Sequence, residues 1–230
     1  MANNDVKLIG AWTSPYVMRA QIALNLKSIK YEFLAEKTGS KSELLLKSNP
    51  VHKKIPVLIH DDKPICESLV IVQYIDEVWS SGPSILPSDP YDRAIARFWA
   101  AYLDDKWFPA IKGIGMAKEE EARKAAIEQV RQGLAYLEEE FVKSSSKGKD
   151  FFGGDKIGYL DIAFGCFLGW LRVTEKMNNM KFLDEIKTPN LFKWAEKFCA
   201  DDSVKDVMPD TDKLLEFAKI LIAKIRAPQN

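Results

Sequence analysis

The sequence predicts a small α/β unit followed by an all-α helical bundle. In the first third of the chain, the spacing of apolar residues alternates between a period of two and one of about 3.6, and turn residues stand at each change. From residue 93 onward only the helical period recurs. With 230 residues, of which 47% are apolar, the chain is long enough for one large or two small packed domains.

Four short runs in the first third are typical of β-strands. They are Val6 to Trp12, Tyr31 to Ala35, Ile55 to Ile59 and Lys63 to Cys66. The turn-like His60-Asp61-Asp62 between the last two predicts a β-hairpin. The order βαβ and then ββα fits one small sheet covered by helices, because a parallel crossover needs its helix on a face of the sheet.

The helices of this unit each follow a capping signal. Ser14-Pro15 provides an N-cap and a proline at the first helical position, and this predicts a helix that runs to about Lys27. Ser40-Lys41-Ser42-Glu43 has the S-x-x-E form of a capping box and predicts a short helix that Asn49-Pro50 ends. Ser68 is the predicted cap of a third helix, Leu69 to Val78.

A connector rich in proline and serine, Ser80 to Asp92, predicts the domain boundary. We expect one domain over residues 1–80, a linker over 81–92 and a helical domain over 93–230. The helical domain is predicted from apolar stripes over Ile95–Leu103, Ile127–Phe141, Leu191–Cys199 and Leu214–Ile225. Ile162 to Val173 is apolar on nearly every side and predicts one helix buried at the centre of the bundle.

The composition excludes several classes of function. The 33 basic and 33 acidic residues cancel, so the cationic excess that attracts nucleic acids or anionic membranes is absent. The three cysteines, Cys66, Cys166 and Cys199, form no CxxC pair, and we therefore expect neither disulfides nor a zinc or other metal site. The N-terminal residues lack the continuous apolar core of a secretory signal, which favours a cytoplasmic protein.

The usual catalytic motifs are absent, so chemistry is expected at sites shaped by the backbone. Ser14 is the first candidate, because its hydroxyl stands where free N–H groups and the helix dipole stabilise an anion such as a thiolate. The alternative is that Ser14 is only an N-cap, worth about 1 kcal/mol.

Two further candidates follow later in the α/β unit. A cis bond at Ile55-Pro56 would direct the polar backbone groups of Ile55 toward a peptide-like ligand, although an ordinary trans proline at a sheet edge explains the residue as well. Ser68 could hold a ligand carboxylate and Glu67 an ammonium group, whereas capping alone also accounts for Ser68. Lys41, Lys53 and Lys54 could bind a second carboxylate or could be ordinary surface lysines.

In their order along the chain, these segments closely resemble the plant tau-class glutathione transferases. The resemblance is carried by Ser14-Pro15-Tyr16, by the run from Lys41 to Leu58, and by Ile65-Cys66-Glu67-Ser68. It continues through Gln73 to Glu77, Leu86 to Tyr91, Arg97 to Ala100 and Phe152 to Asp155, and so covers nearly the whole chain.

The resemblance implies a thioredoxin-like N-terminal domain that carries glutathione and an all-helical C-terminal domain that supplies the electrophile pocket. It implies that Ser14 donates a hydrogen bond to the glutathione sulfur and that Pro56 is cis. Lys41 and Lys54 would hold the glycine carboxylate, the Ile55 backbone the cysteinyl amide, and Glu67 with Ser68 the γ-glutamyl end. Glutathione would be a cosubstrate, with no permanently bound cofactor.

The resemblance also implies an electrophile pocket and a partner. The pocket residues matched to the family are Ala11, Trp12, Tyr16, Phe108, Trp170, Phe217 and Leu221, although aromatic residues at helical spacing also suit a core. One departure is Gly158, where the family commonly has the serine or threonine of a capping box with Asp161, so we expect some cap energy to be missing. Family members are usually homodimers, and the sequence permits this.

Two functions remain open at this stage. The first is an enzyme that joins glutathione to apolar electrophiles and also reduces organic hydroperoxides. The second is a protein of the same fold that carries apolar ligands or glutathione conjugates without turnover. Ser14, Lys41, Glu67 and Ser68 together favour the enzyme, since a carrier need not retain all of them. A thiol transferase would need cysteine at position 14.

Overall fold

A computed structural model describes residues 5–37, 39–144 and 148–226 of the chain. Its N-terminal part contains a mixed sheet in the order β2-β1-β3-β4, in which only the β1–β2 pair is parallel among the described strands. The strands are β1 (Val6–Gly10), β2 (Glu32–Ala35), β3 (Val57–His60) and β4 (Lys63–Cys66). The predicted small sheet and its hairpin are confirmed, and β1 ends at Gly10, two residues before the predicted end.

Helices accompany the sheet and are the main regular structure in the rest of the described chain. The helices beside the sheet are α1 (Pro15–Leu26), α2 (Glu43–Ser48) and α3 (Ser68–Val78). The bundle contains α4 (Pro90–Tyr102), a π-helical segment (Leu103–Trp107), α5 (Phe108–Met116), α6 (Glu120–Ser144), α7 (Tyr159–Gly165), α8 (Leu168–Asn178), α9 (Pro189–Ala200) and α10 (Thr211–Arg226). The predicted fold class, an α/β thioredoxin-like part followed by an all-α part, is confirmed.

The sheet buries a different set of side chains on each face. Leu8 is paired with Leu58 and Ile9 with Val57 across the antiparallel β1–β3 ladder. Leu8 and Leu58 belong to the large core shared with α1 and α3, whereas Ile9 and Val57 pack with Leu45 of α2. Because successive strand residues point to opposite faces, both faces of this sheet are covered by helices.

The cap of α2 differs from the predicted one. Ser42 rather than Ser40 is the N-cap, and its Oγ accepts a hydrogen bond from Leu45 N at 3.1 Å. Glu36, which follows β2, accepts from Ser42 N at 3.1 Å and so takes the part that a capping-box glutamate would play. The S-x-x-E motif predicts Ser40 as the cap and Glu43 as its acidic partner. In the structure the cap is Ser42, and its acidic partner is Glu36, which lies outside the motif.

The prediction of one helix over Ile162 to Val173 is wrong. α7 ends at Gly165 and α8 begins at Leu168, and the N–H of Phe167 bonds to the carbonyl of Phe164 at 3.0 Å in the turn between them. Both helices lie in the core, so the apolar residues continue across the break. A sequence that is apolar on every side of the helix carries no periodic signal that would show where one helix ends and the next begins.

Gly158 is used for close packing of the backbone at the start of α7. A Cβ added at Gly158 would lie 2.9 Å from the Cα of Gly153, a distance that requires something to move. Half of the capping box survives, because Asp161 accepts from the N–H of Gly158 at 2.8 Å. The loss of the cap hydroxyl therefore accompanies a contact that only glycine permits.

Buried polar contacts fasten the connector between the two parts to α3 and α7. Asp76 of α3 accepts from the N–H groups of Ile85 and Leu86, both at 2.9 Å, and pairs with Lys27 at 2.7 Å. The carbonyl of Ile85 in turn accepts from the N–H of Tyr159 at 2.9 Å. These contacts fix the N-terminal part against α7.

Membrane-spanning helices and clusters of metal-binding side chains are both absent from the described residues. None of their helices is long and apolar enough to cross a membrane. No group of three or more histidine, cysteine or acidic side chains among them is arranged to hold a metal ion. The three cysteines are unpaired.

Candidate active site

Ser14 lies at the turn between β1 and α1, where it is half-buried. It is the N-cap of α1, and its Oγ accepts from Val17 N at a long 3.4 Å, while Pro15 occupies the first helical position. Within the described chain, the hydroxyl proton of Ser14 is donated to no acceptor. The hydroxyl is thus a free donor at the positive end of a helix.

The turns that carry the predicted binding residues lie together at one end of the sheet. Val57, the first residue of β3, is paired with Ile9 near the end of β1 and with Cys66 at the end of β4. The Ser14 turn follows β1, Pro56 precedes β3, and Glu67 follows β4. The strand register therefore brings three segments that are distant in sequence to one edge.

The Ile55-Pro56 bond is cis, which confirms the expectation from the resemblance. Asn49, which is 3% exposed, orders the loop before it. Its side-chain nitrogen donates to the carbonyl of Lys54 at 2.9 Å, and its side-chain oxygen accepts from His52 N at 3.1 Å. The sequence predicts Asn49 only as the end of a helix, although the Asn-Pro pair is also a signal for a turn.

The start of α3 differs from the prediction. Ser68 is the first residue of the helix, and the N-cap is Glu67, which has φ 70° and makes no side-chain capping bond among the described contacts. A non-glycine residue at positive φ costs of order 1–3 kcal/mol and occurs disproportionately at functional sites. The side chain of Glu67 is exposed and lies 3.8 Å from Nε2 of His52.

Ser68 is held by Arg19, a residue that sequence reasoning missed. Arg19 is fully buried, and its Nη1 donates to Ser68 Oγ at 3.2 Å. The guanidinium also makes a two-point salt bridge to Asp104 and hydrogen bonds to Cys166 Sγ at 3.2 Å and Ala163 O at 2.9 Å. Arg19 therefore ties the proposed ligand contact Ser68 to the π-helical segment and α7.

The charge states at this buried cluster follow from its contacts. Burial opposes the charge on Arg19, but Cys166 and Asp104 outweigh it and raise the Arg19 pKa above its usual value. Burial raises the pKa of Cys166 to about 12, which Arg19 only partly offsets. Cys166 is therefore a neutral thiol at physiological pH and no nucleophile.

The lysines expected to bind a carboxylate are exposed at the same end of the sheet. Lys41 directly precedes the N-cap of α2, and Lys53 and Lys54 precede Ile55. None of the ion pairs found among the described residues involves these three lysines. Their ammonium groups are available to an anionic ligand.

The residues expected to form the electrophile pocket fall into two aromatic groups. In the first, Trp12 meets Phe217 edge-on at 5.9 Å, and Phe217 meets Trp170 at 6.5 Å. In the second, Tyr16 meets Phe108 edge-on at 6.1 Å. Trp12 lies in the turn after β1 and Tyr16 is the second residue of α1, so the two groups lie on either side of Ser14 in the sequence.

The residues of these two aromatic groups differ in exposure. Phe108 is 5% exposed and stacks on Phe167, a residue absent from the predicted set, at 4.0 Å. Trp12 is 51% exposed and borders an open cleft of about 680 Å³ that is also lined by Asp212, Lys213 and Glu216 of α10.

The two predicted pocket residues that are not aromatic, Ala11 and Leu221, are both half-buried. Ala11 is half-buried, and its carbonyl accepts from Ser14 N at 3.0 Å. Leu221 is half-buried one turn after Phe217 on α10. Burial raises the pKa of Tyr16 to about 12, with Asp104 adding to the effect, so its phenol stays protonated at physiological pH.

Two family models match successive parts of the chain. Residues 4–77 match the family model described as "Glutathione S-transferase, N-terminal domain". Residues 98–202 match the one described as "Glutathione S-transferase, C-terminal domain".

Individual proteins are similar over almost the full chain. "Glutathione S-transferase U17" of Arabidopsis thaliana is 67% identical over 99% of this chain and 100% of its own length. The tau-class glutathione S-transferase of mango, Mangifera indica, has a crystal structure that is 75% identical over 94% of this chain and 98% of its own, with a TM-score of 0.92. Rice GST1, solved in complex with glutathione, is 34% identical over 99% of this chain and 100% of its own, with a TM-score of 0.89.

Proposed function

The chain belongs to the plant tau class of glutathione S-transferases, and from this premise we propose that Ser14 activates the glutathione thiolate for attack on hydrophobic electrophiles. The observation that carries the proposal is the position of the Ser14 hydroxyl, half-buried at the start of α1 with no acceptor for its proton among the described residues. The hydroxyl both caps the helix and offers a hydrogen bond to a bound sulfur.

Stabilisation of the thiolate is an electrostatic effect. A free thiol has a pKa of about 8.5, and each unit by which the site lowers it is worth about 1.4 kcal/mol. The Ser14 hydroxyl donates to the sulfur anion, and the positive end of α1 favours the same charge. Both are in place before the reaction, so no reorganisation is needed when the thiolate forms.

The tripeptide would be bound by residues around the same sheet edge. Lys41 and Lys54 pair with the glycine carboxylate, and the backbone of Ile55, before cis-Pro56, pairs with the cysteinyl amide. Glu67 accepts from the γ-glutamyl ammonium, and Ser68 donates to the γ-glutamyl carboxylate. The hydroxyl of Ser68 can donate to a ligand because its own oxygen accepts from Arg19.

The transfer step needs no covalent enzyme intermediate. The thiol proton leaves to solvent, the sulfur forms a bond to the electrophilic carbon, and the leaving group departs with its bonding electron pair. The protein contributes proximity and stabilisation of the anion. The pocket formed by Ala11, Trp12, Tyr16, Phe108, Trp170, Phe217 and Leu221 holds the electrophile beside the sulfur.

The same thiolate supports reduction of organic hydroperoxides. Its sulfur attacks the peroxide oxygen and releases an alcohol, and the resulting glutathione sulfenic acid reacts with a second glutathione to give glutathione disulfide and water. Two thiols are oxidised for each hydroperoxide reduced. This activity requires no residue beyond those already named.

The division of labour and the assembly are part of the proposal. Residues 1–80 carry glutathione, 81–92 form the linker, and 93–230 supply most of the electrophile pocket. Exposed apolar side chains on α3 and α4, namely Val70 at 50%, Phe98 at 59% and Tyr91 at 71% exposure, support association as a homodimer. Sedimentation of the purified protein measures the assembly directly.

The proposed location is the cytoplasm. The three cysteines are unpaired in the structure, as is usual for proteins of a reducing compartment. Fluorescence of a fusion protein in plant cells tests the location, and labelling confined to another compartment would contradict it.

Substitution of Ser14 by alanine tests the mechanism. We expect Ser14→Ala to lower kcat for a chlorodinitrobenzene by roughly 10²-fold or more, the usual cost of removing one oxyanion-type donor. Glutathione binding is expected to persist, and the ultraviolet absorbance of the bound thiolate should appear only at higher pH. The control is Asp89→Ala, which removes the N-cap of α4 and separates loss of a cap from loss of the sulfur donor.

Two outcomes would contradict the proposal. Wild-type turnover by Ser14→Ala with an unchanged thiolate titration would exclude the role of Ser14. No turnover of any electrophile or hydroperoxide by the wild-type protein, with glutathione present, would favour a carrier of apolar ligands or conjugates.

A further inference from the structure

We propose that Lys112 makes the electrophile pocket selective for apolar electrophiles that carry an anionic group such as a carboxylate. The inference rests on the proposed transferase function and concerns only which electrophiles the pocket prefers. Lys112 lies on α5, one helical turn after the pocket residue Phe108.

The ammonium group of Lys112 lies over the aromatic wall of the pocket. Its Nζ is 5.2 Å from the centroid of the Phe108 ring. One face of that ring stacks on Phe167 at 4.0 Å with an angle of 18° between the planes, and its neighbour Tyr16 meets it edge-on at 6.1 Å. Because Phe167 covers one face, the ammonium covers the other, on the wall that continues to Tyr16, two residues from Ser14.

The helix face that carries Lys112 turns toward α10. Phe108, Lys112 and Gly115 follow the i, i+4, i+7 spacing of a single helix face. A Cβ added at Gly115 would lie 3.8 Å from Cδ1 of Ile222 on α10. The helix α10 also carries Phe217, so Lys112 lies on the side of α5 that faces the pocket.

Charge around the pocket is unbalanced. Asp212 and Glu216, the acidic residues of the cleft beside Trp12, are each paired with a lysine, at 2.5 and 2.7 Å. Lys112 and Lys213, in contrast, take part in none of the ion pairs between described residues. The pocket and its mouth therefore present a net positive charge to an incoming electrophile.

Of these two lysines, Lys112 is the better placed to select a substrate. Both side chains are exposed, but the ammonium of Lys112 lies over a ring of the proposed pocket wall, whereas Lys213, on the first turn of α10, lies over no ring among the described residues. A planar apolar electrophile on the Tyr16–Phe108 wall would place an anionic substituent within reach of Lys112. An exposed or partly exposed ion pair of this kind changes binding by roughly two- to fivefold and weakens as salt is added.

The test compares two aryl chlorides, the anionic 4-chloro-3,5-dinitrobenzoate and its neutral methyl ester, whose different intrinsic reactivities cancel when the same ratio is compared between protein variants. In both, the glutathione sulfur bonds to the carbon that bears chlorine, chloride leaves with the electron pair of the C–Cl bond, and the carboxylate or ester is unchanged. The quantity measured is the ratio of kcat/KM for the acid to kcat/KM for the ester.

We expect Lys112→Gln to lower this ratio by roughly two- to fivefold, which is the effect of losing a single exposed ion pair. Lys112→Arg should keep the ratio near the wild-type value, because the positive charge remains. Adding salt should narrow the difference between wild type and Lys112→Gln. The matched control is Lys106→Gln, which removes an exposed lysine in the neighbouring π-helical segment and should leave the ratio unchanged.

Two results would overturn the inference without touching the proposed function. One is an unchanged ratio in Lys112→Gln. The other is an equal loss in Lys213→Gln, which would assign the preference to the general positive charge of the cleft. Failure of the wild-type protein to use even the neutral ester would instead count against the transferase function itself.

Discussion

Arg19 of α1 and Asp104 of the π-helical segment form a two-point salt bridge, with nitrogen–oxygen distances of 2.6 and 2.9 Å. The Arg19 side chain is fully buried and that of Asp104 is 27% exposed. The pair crosses from the sheet-bearing part of the chain to the helical part, and the same guanidinium holds Ser68. Packing of the two parts and the shape of the proposed γ-glutamyl site therefore depend on one side chain.

Substitution of Arg19 by lysine should affect both stability and glutathione affinity. Lysine cannot reproduce the planar fork of donors that reaches Asp104, Ser68 and Cys166 together. We expect Arg19→Lys to lower the free energy of unfolding by about 2–4 kcal/mol, because buried polar partners lose their donors. KM for glutathione should rise several-fold as Ser68 loses its support.

Urea unfolding and initial-rate kinetics measure these two effects. The control is Arg97→Lys, since Arg97 is exposed and bonds only to Gln73 in the described structure. Its change in stability should stay within about 0.5 kcal/mol. An Arg19→Lys protein as stable as wild type would contradict the assigned role of the pair.

Asp161 should be essential to the start of α7. Its buried carboxylate accepts from the N–H groups of Phe152, Gly153 and Gly158 and from Nε1 of Trp194, at 2.8 to 2.9 Å. Asparagine has one acceptor oxygen, and its NH₂ would face donors. We expect Asp161→Asn to cost about 2–4 kcal/mol, because two or more buried donors lose their partner at about 1–3 kcal/mol each.

Equilibrium unfolding in urea checks this value. Asp155→Asn is the matched control, because Asp155 is exposed and its contact with Lys149 lies at the surface. Surface pairs contribute about 0–1 kcal/mol. Equal losses of unfolding free energy in the two variants would contradict the prediction that the four hydrogen bonds to Asp161 stabilise the fold more than a surface ion pair does.

The titration of Asp161 should also appear in the pH dependence of stability. Burial raises its pKa from 3.8 to about 6, even though its four donors act in the opposite direction. Between these values the folded protein binds a proton that the unfolded chain has released. The contribution of Asp161 is therefore full below about pH 4, falls as the pH rises through about 6, and is constant above that.

The difference in unfolding free energy between wild type and Asp161→Asn should accordingly narrow between pH 4.5 and 7. Urea unfolding of both proteins at several pH values measures it, and the difference removes the contribution of the other titrating groups. A difference that widens with pH would mean that the four donors outweigh burial and hold the folded pKa below the unfolded one.

The start of α1 and the β-hairpin can be predicted from the sequence, because each is determined by residues that are neighbours in the chain. Ser14-Pro15 specifies the start of α1, and the confirmed hairpin follows from two strand-like runs around Asp61-Asp62, both of which have positive φ. The cis bond at Pro56 required the resemblance, since base rates favour trans.

Contacts between distant segments could not be predicted from the sequence. Arg19 reads as one polar residue in an apolar helix, and its partners Asp104 and Cys166 lie 85 and 147 residues away. The prediction of the α2 cap is wrong for the same reason, because the carboxylate that accepts from the N–H of the cap residue belongs to Glu36, outside the motif. The sequence predicts Ser68 as the cap of α3, whereas in the structure Ser68 is the first residue of the helix and its hydroxyl accepts a hydrogen bond from Arg19.

The reactivity of the cysteines should follow their burial. Burial, aided by the neighbouring Glu67, raises the pKa of the half-buried Cys66 thiol, which donates weakly to the carbonyl of Ser48 at 3.5 Å. Cys166 is fully buried beside Arg19. Because the thiolate is the reactive form, we expect Cys66 at pH 7.5 to react with iodoacetamide more slowly than free cysteine, and Cys166 to react only after unfolding.

Mass spectrometry of peptides after timed labelling measures both rates. Labelling in urea is the control, since all three cysteines should then react alike. Raising the pH from 7.5 to 9 should speed the reaction of Cys66 by more than that of free cysteine, whose thiol is already largely ionised at the higher pH. A Cys66 that reacts faster than free cysteine at pH 7.5 would contradict the raised pKa and would point to stabilisation of its thiolate by the site.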